Sequence, residues 1–301
     1  MEKLKNLLKN ENGNVLVLVS LAFTGLIALT GLVIDGGQLY MTKSHLQKTA
    51  NAAVLSGAQE LTNTEAKVTS VVDEILTRHN ETGAKERLDI SMNHRVGIEL
   101  KKPVPLFFSS IFGVESVDVR VTAGARLGAM GRGTGAAPLG IDESISLEYG
   151  KIYELKVDQS GIEAGTNFGI LALAGTGART YKDTLLNGYQ QELKVGDIVE
   201  TQTGNVAGPT REAVDVLVNT CSSPLARDCP RALLVVVYKP HKHEQNQLKQ
   251  VEVRGFAYFY LTERMRHNDS TVKGMFIKRA DSGFEDLIAA DRGAYSIRLT
   301  E

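Results

Sequence analysis

The stretch NVLVLVSLAFTGLIALTGLVI, residues Asn14–Ile34, contains no charged side chain, and the uncharged run reaches back to Asn12. Beyond Asn14 its only polar side chains are Ser20, Thr24 and Thr30, whose hydroxyls can bond back to the carbonyl one turn earlier. As an α-helix, twenty-one residues rise roughly 30 Å, the thickness of a bilayer's hydrocarbon core, with the backbone amides satisfied inside the helix. The stretch therefore predicts a transmembrane helix. A cleaved signal peptide would carry a shorter apolar run of about 7–15 residues closing on a small-residue cleavage site, and Ala50-Asn51-Ala52 falls too far downstream for that. A buried core helix of this length would ordinarily show a polar face, which this one lacks.

Lys3, Lys5 and Lys9 precede the helix and Asp35 ends it, with the next lysines at Lys43 and Lys48. The excess of lysine on the near side predicts an N-terminus in the cytoplasm and the remainder outside the cell. Ser20, Thr24 and Ala28 recur at four-residue spacing with Gly31 close by, a small-residue face open to a partner helix or to self-association in lipid. Asp35 and Gly36 close the segment and predict a kink at Asp35-Gly36-Gly37.

Beyond the kink, Leu39, Leu46, Ala50, Ala53, Val54, Gly57, Ala58 and Leu61 keep a helical spacing, so one long helix leaves the lipid with an Ala/Gly stripe suited to packing on something flat. Glu65–His79 predicts a second amphipathic helix. Arg87–Met92, Arg95–Leu100 and Val117–Ala125 predict strands, with a short helix over Val104–Phe112. Four glycines in Gly128–Gly135 suggest a linker. After it, strand-like runs at 151–157, 168–173, 197–201, 232–238, 250–261 and 272–278 and helices at 178–190 and 210–219 predict a second unit. The expected fold class is α+β: a cytoplasmic lead (1–13), a transmembrane helix (14–34), a pilin-like helix-plus-antiparallel-sheet module (35–126), a Gly-rich linker (127–137) and a strand-rich α+β domain (138–301).

Composition narrows the function. The chain of 301 residues is 43 % hydrophobic and 23 % charged, with a formal net charge of −1 and no Trp. It lacks the basic face and stacking aromatics of a nucleic-acid binder. Cys221 and Cys229, the only cysteines, flank seven residues in the segment expected outside the cell, which suggests a disulfide. His241 and His243 are spaced wrongly for a zinc finger and sit beside Lys239 and Lys242, so no metal site is expected. Gly131-Arg-Gly-Thr-Gly135 has no preceding strand and following helix of a dinucleotide loop, and Gly175-Thr-Gly177 lacks the Lys of a phosphate loop. No catalytic motif stands out, so neither an enzyme nor a cofactor is expected.

The order Asn12-Gly13, an apolar span, VIDGGQLY at 33–40, HLQKTANAA at 45–53 and Gly57-Ala58 resembles the N-terminal region of TadG-like proteins of the tight-adherence (Tad/Flp) pilus system. Ile111-Phe112-Gly113, Ser116–Val121 and Ala123–Ala125 resemble the end of the pilin-like unit in that family. Asn167-Phe168-Gly169, Glu200-Thr201 and Gly204–Thr210 are similar to the C-terminal part of its Gram-positive members. The resemblance implies a single-pass cell-membrane protein whose partners are membrane lipid and pilus-assembly proteins or pilin subunits; a membrane-anchored adhesin is the alternative. Where pilins carry Glu five residues after the processing glycine, this chain has Leu18, which argues against cutting after Gly13 and entry into the filament as an ordinary subunit. Larger relatives contain a von Willebrand A domain; Asp142-Glu-Ser-Ile-Ser146 has the letters of its metal site, but 135–141 does not read as the strand, nor 147–155 as the helix, that such a site needs.

Overall fold

The computed structural model describes residues 11–157, 162–163, 168–202, 204–224, 226–244, 247–267 and 270–300. Residues 1–10 of the expected lead, the lysines that set its orientation, and Asn167 lie outside them.

Helix α1 (Glu11–Ala58) runs 48 residues without interruption, about 70 Å at the α-helical rise. It passes through Asp35-Gly36-Gly37, where a kink was expected, with its helical bonding unbroken. Helix α2 (Glu65–Arg78) starts where the Thr64 hydroxyl accepts the Lys67 N–H, a cap that satisfies an otherwise orphaned donor. Strands β1 (Lys85–Ser91), β2 (Arg95–Pro105) and β3 (Ser116–Gly133) follow as an antiparallel meander. Strand β2 extends further than its alternation suggested, and the helix expected over Val104–Phe112 is one 3₁₀ turn at Ser109–Phe112.

The chain continues through β4 (Ala136–Asp142), β5 (Ile152–Lys156), β6 (Ile162–Glu163), β7 (Phe168–Ile170), α3 (Ala178–Asn187), β8 (Leu193–Lys194), β9 (Ile198–Glu200), α4 (Ala207–Leu217), β10 (Ala232–Glu244), β11 (Gln247–Leu261), β12 (Thr271–Ile277), β13 (Arg279–Asp281), β14 (Phe284–Glu285), β15 (Ala290–Asp291) and β16 (Ala294–Thr300). The fold is α+β, in two sheets. The first is ordered β1-β2-β3-β16-β13 and the second β5-β12-β11-β10-β4-β7. Helices α3 and α4 cover one face of the second sheet, Tyr181, Leu185, Val214 and Leu217 packing with Val235, Val237 and Phe259. Its other face shares a core with the first sheet, where Met130 of β3 and Ala294 of β16 pack with Phe256, Tyr258 and Tyr260.

Residues 127–137, expected as a linker, are built into the sheets. Strand β3 runs to Gly133 and pairs with β16 from Gly124 to Ala129, while β4 begins at Ala136. Gly128 and Gly131 serve close approach rather than freedom: a Cβ on Gly128 would lie 2.4 Å from the Glu285 side chain, and one on Gly131 2.0 Å from Asp286 Cβ. A segment crossing this tightly leaves no room for side chains.

The second half of α1 packs as its stripe suggested. Leu46, Ala50, Ala53, Val54 and Ala58 are fully buried against Val68, Val72 and Leu76 of α2 and against Ile98, Leu100, Val121 and Ala125 of the sheet. At Gly57 a Cβ would come 2.7 Å from Val72 Cγ2, so the α1–α2 crossing requires glycine there.

Candidate functional site

Apart from Gly31, the first half of α1 has no cover among the described residues. From Val15 to Ile34 the large apolar side chains stand in the open, Leu21 among them at 69 % exposure, and mean hydropathy reaches 2.4 over an 18-residue window. A soluble surface does not leave so long an apolar cylinder bare, and the rival reading as a buried core helix finds no support. Ser20, Thr24 and Thr30 each donate to the carbonyl four residues back, at 2.8 Å. The helix thus presents no unsatisfied hydroxyl outward. Ser20, Thr24 and Ala28 are exposed, and no described segment uses their small-residue face.

Gly31 and Asp35 behave differently. Both are buried, one turn apart, beneath the turn that joins β2 to β3. The Phe108 ring lies on Gly31, where a Cβ would meet ring and Cβ atoms at 2.5–2.7 Å. The Asp35 carboxylate, 3 % exposed, accepts the N–H of Phe107 at 3.0 Å, of Phe108 at 3.2 Å and of Ser109 at 2.7 Å, and the Ser109 hydroxyl at 2.7 Å. Burial pushes its carboxyl up, but the hydrogen bonds from the Ser109 hydroxyl and N–H and from Phe107 and Phe108 outweigh this and hold it below its ordinary 3.8. Three successive amides converging on one carboxylate form an anion cradle closed by the protein's own side chain. Asp35 and Gly31, grouped by sequence with a partner-helix face, instead hold a turn of the same chain. The turn lies more than seventy residues downstream, and nothing local announces the contact. Gly36 is exposed with open space around its Cα.

At the far end of α1, Cys221 and Cys229 form a disulfide with Cα atoms 5.6 Å apart. The loop it closes carries Arg227, which donates to Glu60 Oε1 at 2.8 Å and to the Ser56 carbonyl at 3.0 Å. The Glu60 carboxylate is buried, so the loop braces the helix end with a charge-assisted bond.

The other motifs resolve into structure. Asp142 does end a strand, contrary to expectation, since β4 is an almost wholly buried strand lying parallel to β10. No helix follows it. Asp142 Oδ1 accepts the Ser144 N–H in a local turn, and among the described residues no three His, Cys, Asp or Glu side chains converge on a metal position. His241 and His243 are exposed on the end of β10. Gly175 and Gly177 take positive φ of 99° and 124° in a turn whose Gly177 N–H is bound by Gln202. The described residues of the C-terminal motif are held by separate bonds: Ala172 N–H donates to the Glu200 carbonyl, Thr201 Oγ1 to the Leu248 carbonyl, and Thr210 Oγ1 to the Val206 carbonyl. They tie β9 to the residues after β7 and to β11, and steady the first turn of α4 from within.

Residues 13–60 match the family model described as "Putative Flp pilus-assembly TadE/G-like". The chain carries a TadE/G-like pilus-assembly domain. The matched TadE/G-like residues are nearly those of α1, so its apolar half, its Ala/Gly stripe and the Gly31–Asp35 seat all belong to the domain, while the turn on that seat does not. The resemblance quoted for the C-terminal part lies beyond the matched residues. Neither a curated protein nor a solved structure matches the chain.

Proposed function

We propose that this chain is a TadG-like, single-pass membrane protein that serves as a structural or assembly component of a Tad/Flp-type surface pilus rather than as a catalyst. In this reading α1 crosses the bilayer over 14–34 with its N-terminus in the cytoplasm, and the two sheets stand outside the cell. The observation that carries it is the joining of two opposite surfaces in one helix. Its first half is apolar all round and bare; its second half is buried against α2 and the first sheet, and both lie in the TadE/G-like residues. A helix built this way fixes a folded body directly at a membrane surface, the position from which a component of a surface filament acts. The alternative of an adhesin uses the same anchor but assigns the work to the second sheet.

The test is genetic. Deleting the gene is expected to abolish surface filaments in the native host, with rescue by the wild-type chain but not by Leu21→Arg. An arginine at the centre of the span costs about 2.5–3.5 kcal/mol of insertion, so the variant is expected to leave the membrane fraction or fail to accumulate. Normal filaments in the deletion strain would overturn the pilus role, and a membrane-bound, functional Leu21→Arg chain would overturn the anchor.

A further inference from the structure

We propose that the β2–β3 turn, residues 106–114, is a second membrane contact, whose side chains Phe107, Ile111, Phe112 and Val114 enter the headgroup and upper acyl region of the bilayer crossed by α1. The proposal rests on the reading of α1 as a membrane anchor and adds a lipid-binding element that the anchor alone does not require.

Position is the first argument. Phe108 is seated on Gly31 and the turn's amides on Asp35, and Gly31 lies within the apolar run that ends at Ile34. One helical turn is about 5.4 Å, so the turn reaches below the level at which α1 leaves the hydrocarbon. It is held there by four hydrogen bonds and the half-buried Phe108 ring.

Chemistry is the second. Residues 103–114 carry no charge. Phe107, Ile111, Phe112 and Val114 are 68, 76, 80 and 46 % exposed, in direct continuity with the bare wall of α1. Aromatic and aliphatic side chains displayed from a polar scaffold are the signature of elements that lie in the interface plane.

Backbone satisfaction is the third. In water a surface turn leaves its amides to solvent, but irregular backbone entering lipid must find partners inside the protein. Here the N–H groups of Phe107, Phe108 and Ser109 are bound by Asp35, that of Leu106 by the Glu115 carbonyl, and those of Ile111, Gly113 and Val114 by the carbonyls of Phe108, Ser110 and Ser109. The two hydroxyls are also used, Ser109 on Asp35 and Ser110 on the Phe107 carbonyl. The buried carboxylate satisfies three amides that the turn would otherwise carry unpaired into an apolar medium. This internal closure, with the continuity with α1, favours lipid over a protein partner as the occupant.

The test uses the full-length chain reconstituted into phosphatidylcholine vesicles. Cys221 and Cys229 are bonded to each other and no described cysteine is free, so an introduced cysteine takes an environment-sensitive fluorophore. Phe112→Cys and Ile111→Cys report on the turn, Leu21→Cys on the span, and Leu287→Cys, exposed between β14 and β15, on the aqueous side. Labels at 111 and 112 are expected to be blue-shifted and to lose most of their emission to shallow spin-labelled lipid, the label at 21 to deep spin-labelled lipid, and the label at 287 to neither. Quenching at 21 with a red, unquenched label at 111 and 112 would overturn the turn's lipid contact and leave the anchor standing. A blue-shifted label there that no lipid quencher reaches would assign the surface to a second copy or a pilus subunit, and so overturn the proposal. Loss of quenching at 21 would overturn the anchor and the turn's assignment with it.

Discussion

Asp35 closes an apolar run in sequence and anchors a tertiary contact in the structure. Its carboxylate binds four donors from one turn, and the folded group is held below its ordinary 3.8, so the folded state binds fewer protons than the unfolded one wherever the two titrate differently. The stabilisation of the seat is therefore complete above about pH 4 and is lost as pH falls through the lowered value. The protection of the 106–114 amides in the reconstituted chain, read as exchange relative to an unstructured peptide at the same pH, is expected to fall on acidification through that window. Asp35→Asn removes the charged acceptor and should raise exchange about tenfold or more at neutral pH, as loss of a charge-assisted bond implies, and should abolish the acid-dependent step. A variant whose amides exchange as in the wild type would show that the carboxylate does not hold the turn. The sequence marked Asp35 as a boundary because charge ends apolar runs. It could not show the role, because the donors come from a turn 72–74 positions away.

Among the elements, β3 shows how glycine misleads when read without neighbours. Four glycines from 128 to 135 suggested a flexible joint, yet the strand is continuous and Gly128 and Gly131 admit the 285–286 segment against its face. Alongside, Arg126 grips Glu285 with two bonds of 2.8 and 2.9 Å. Gly131→Val would drive a branched side chain into Asp286, including its backbone nitrogen 3.0 Å from the new Cβ. Overpacking of that kind costs about 1–3 kcal/mol, which thermal unfolding of the purified chain would register; an unchanged midpoint would show that the crossing segment yields freely. The disulfide acts on a neighbouring element. Replacing Cys221 and Cys229 together by Ser opens the loop that carries Arg227 to Glu60, and a closed loop of this length contributes about 2–3 kcal/mol. Denaturant titration of the double variant should show that loss, and wild-type stability would place the loop's order in its other contacts.

At the scale of the whole molecule, the chain's last strand returns to its first sheet. Strand β16 pairs with β3 from Gly124 to Ala129, and β13 extends the sheet beyond it. A chain ending after residue 137 would therefore lose the partner of β3 and leave a long strand edge unpaired beside exposed apolar residues, an invitation to aggregate. Limited proteolysis of such a truncation in membranes is expected to degrade 85–137, whereas the full chain protects it. A truncation as resistant as the full chain would show that the first sheet closes without β16. Removing 138–301 would on this view disturb the first sheet as well as the second one, so it would not separate an assembly role from an adhesive one.

Much of the fold was legible because its signals are local. Apolar length gave the bare half of α1, the Ala/Gly period its packed half, helical periodicity α2, period-two alternation β1 and β2, and apolar strand-like runs β10–β12. The TadE/G-like order of residues was equally local. Strand β4 was missed because burial on both faces removes alternation, and β13, β14 and β15 because two- and three-residue pieces carry no period; the seven residues of β16 were missed as well. The sequence by itself determined that one helix carries a bilayer-length apolar run joined to a packing stripe, since both follow from side-chain identity along the chain. Only the tertiary structure decided that Gly31 and Asp35 hold the β2–β3 turn against the end of that run, and that the last strand completes the first sheet, because those contacts join residues far apart whose pairing depends on the course of the backbone between them.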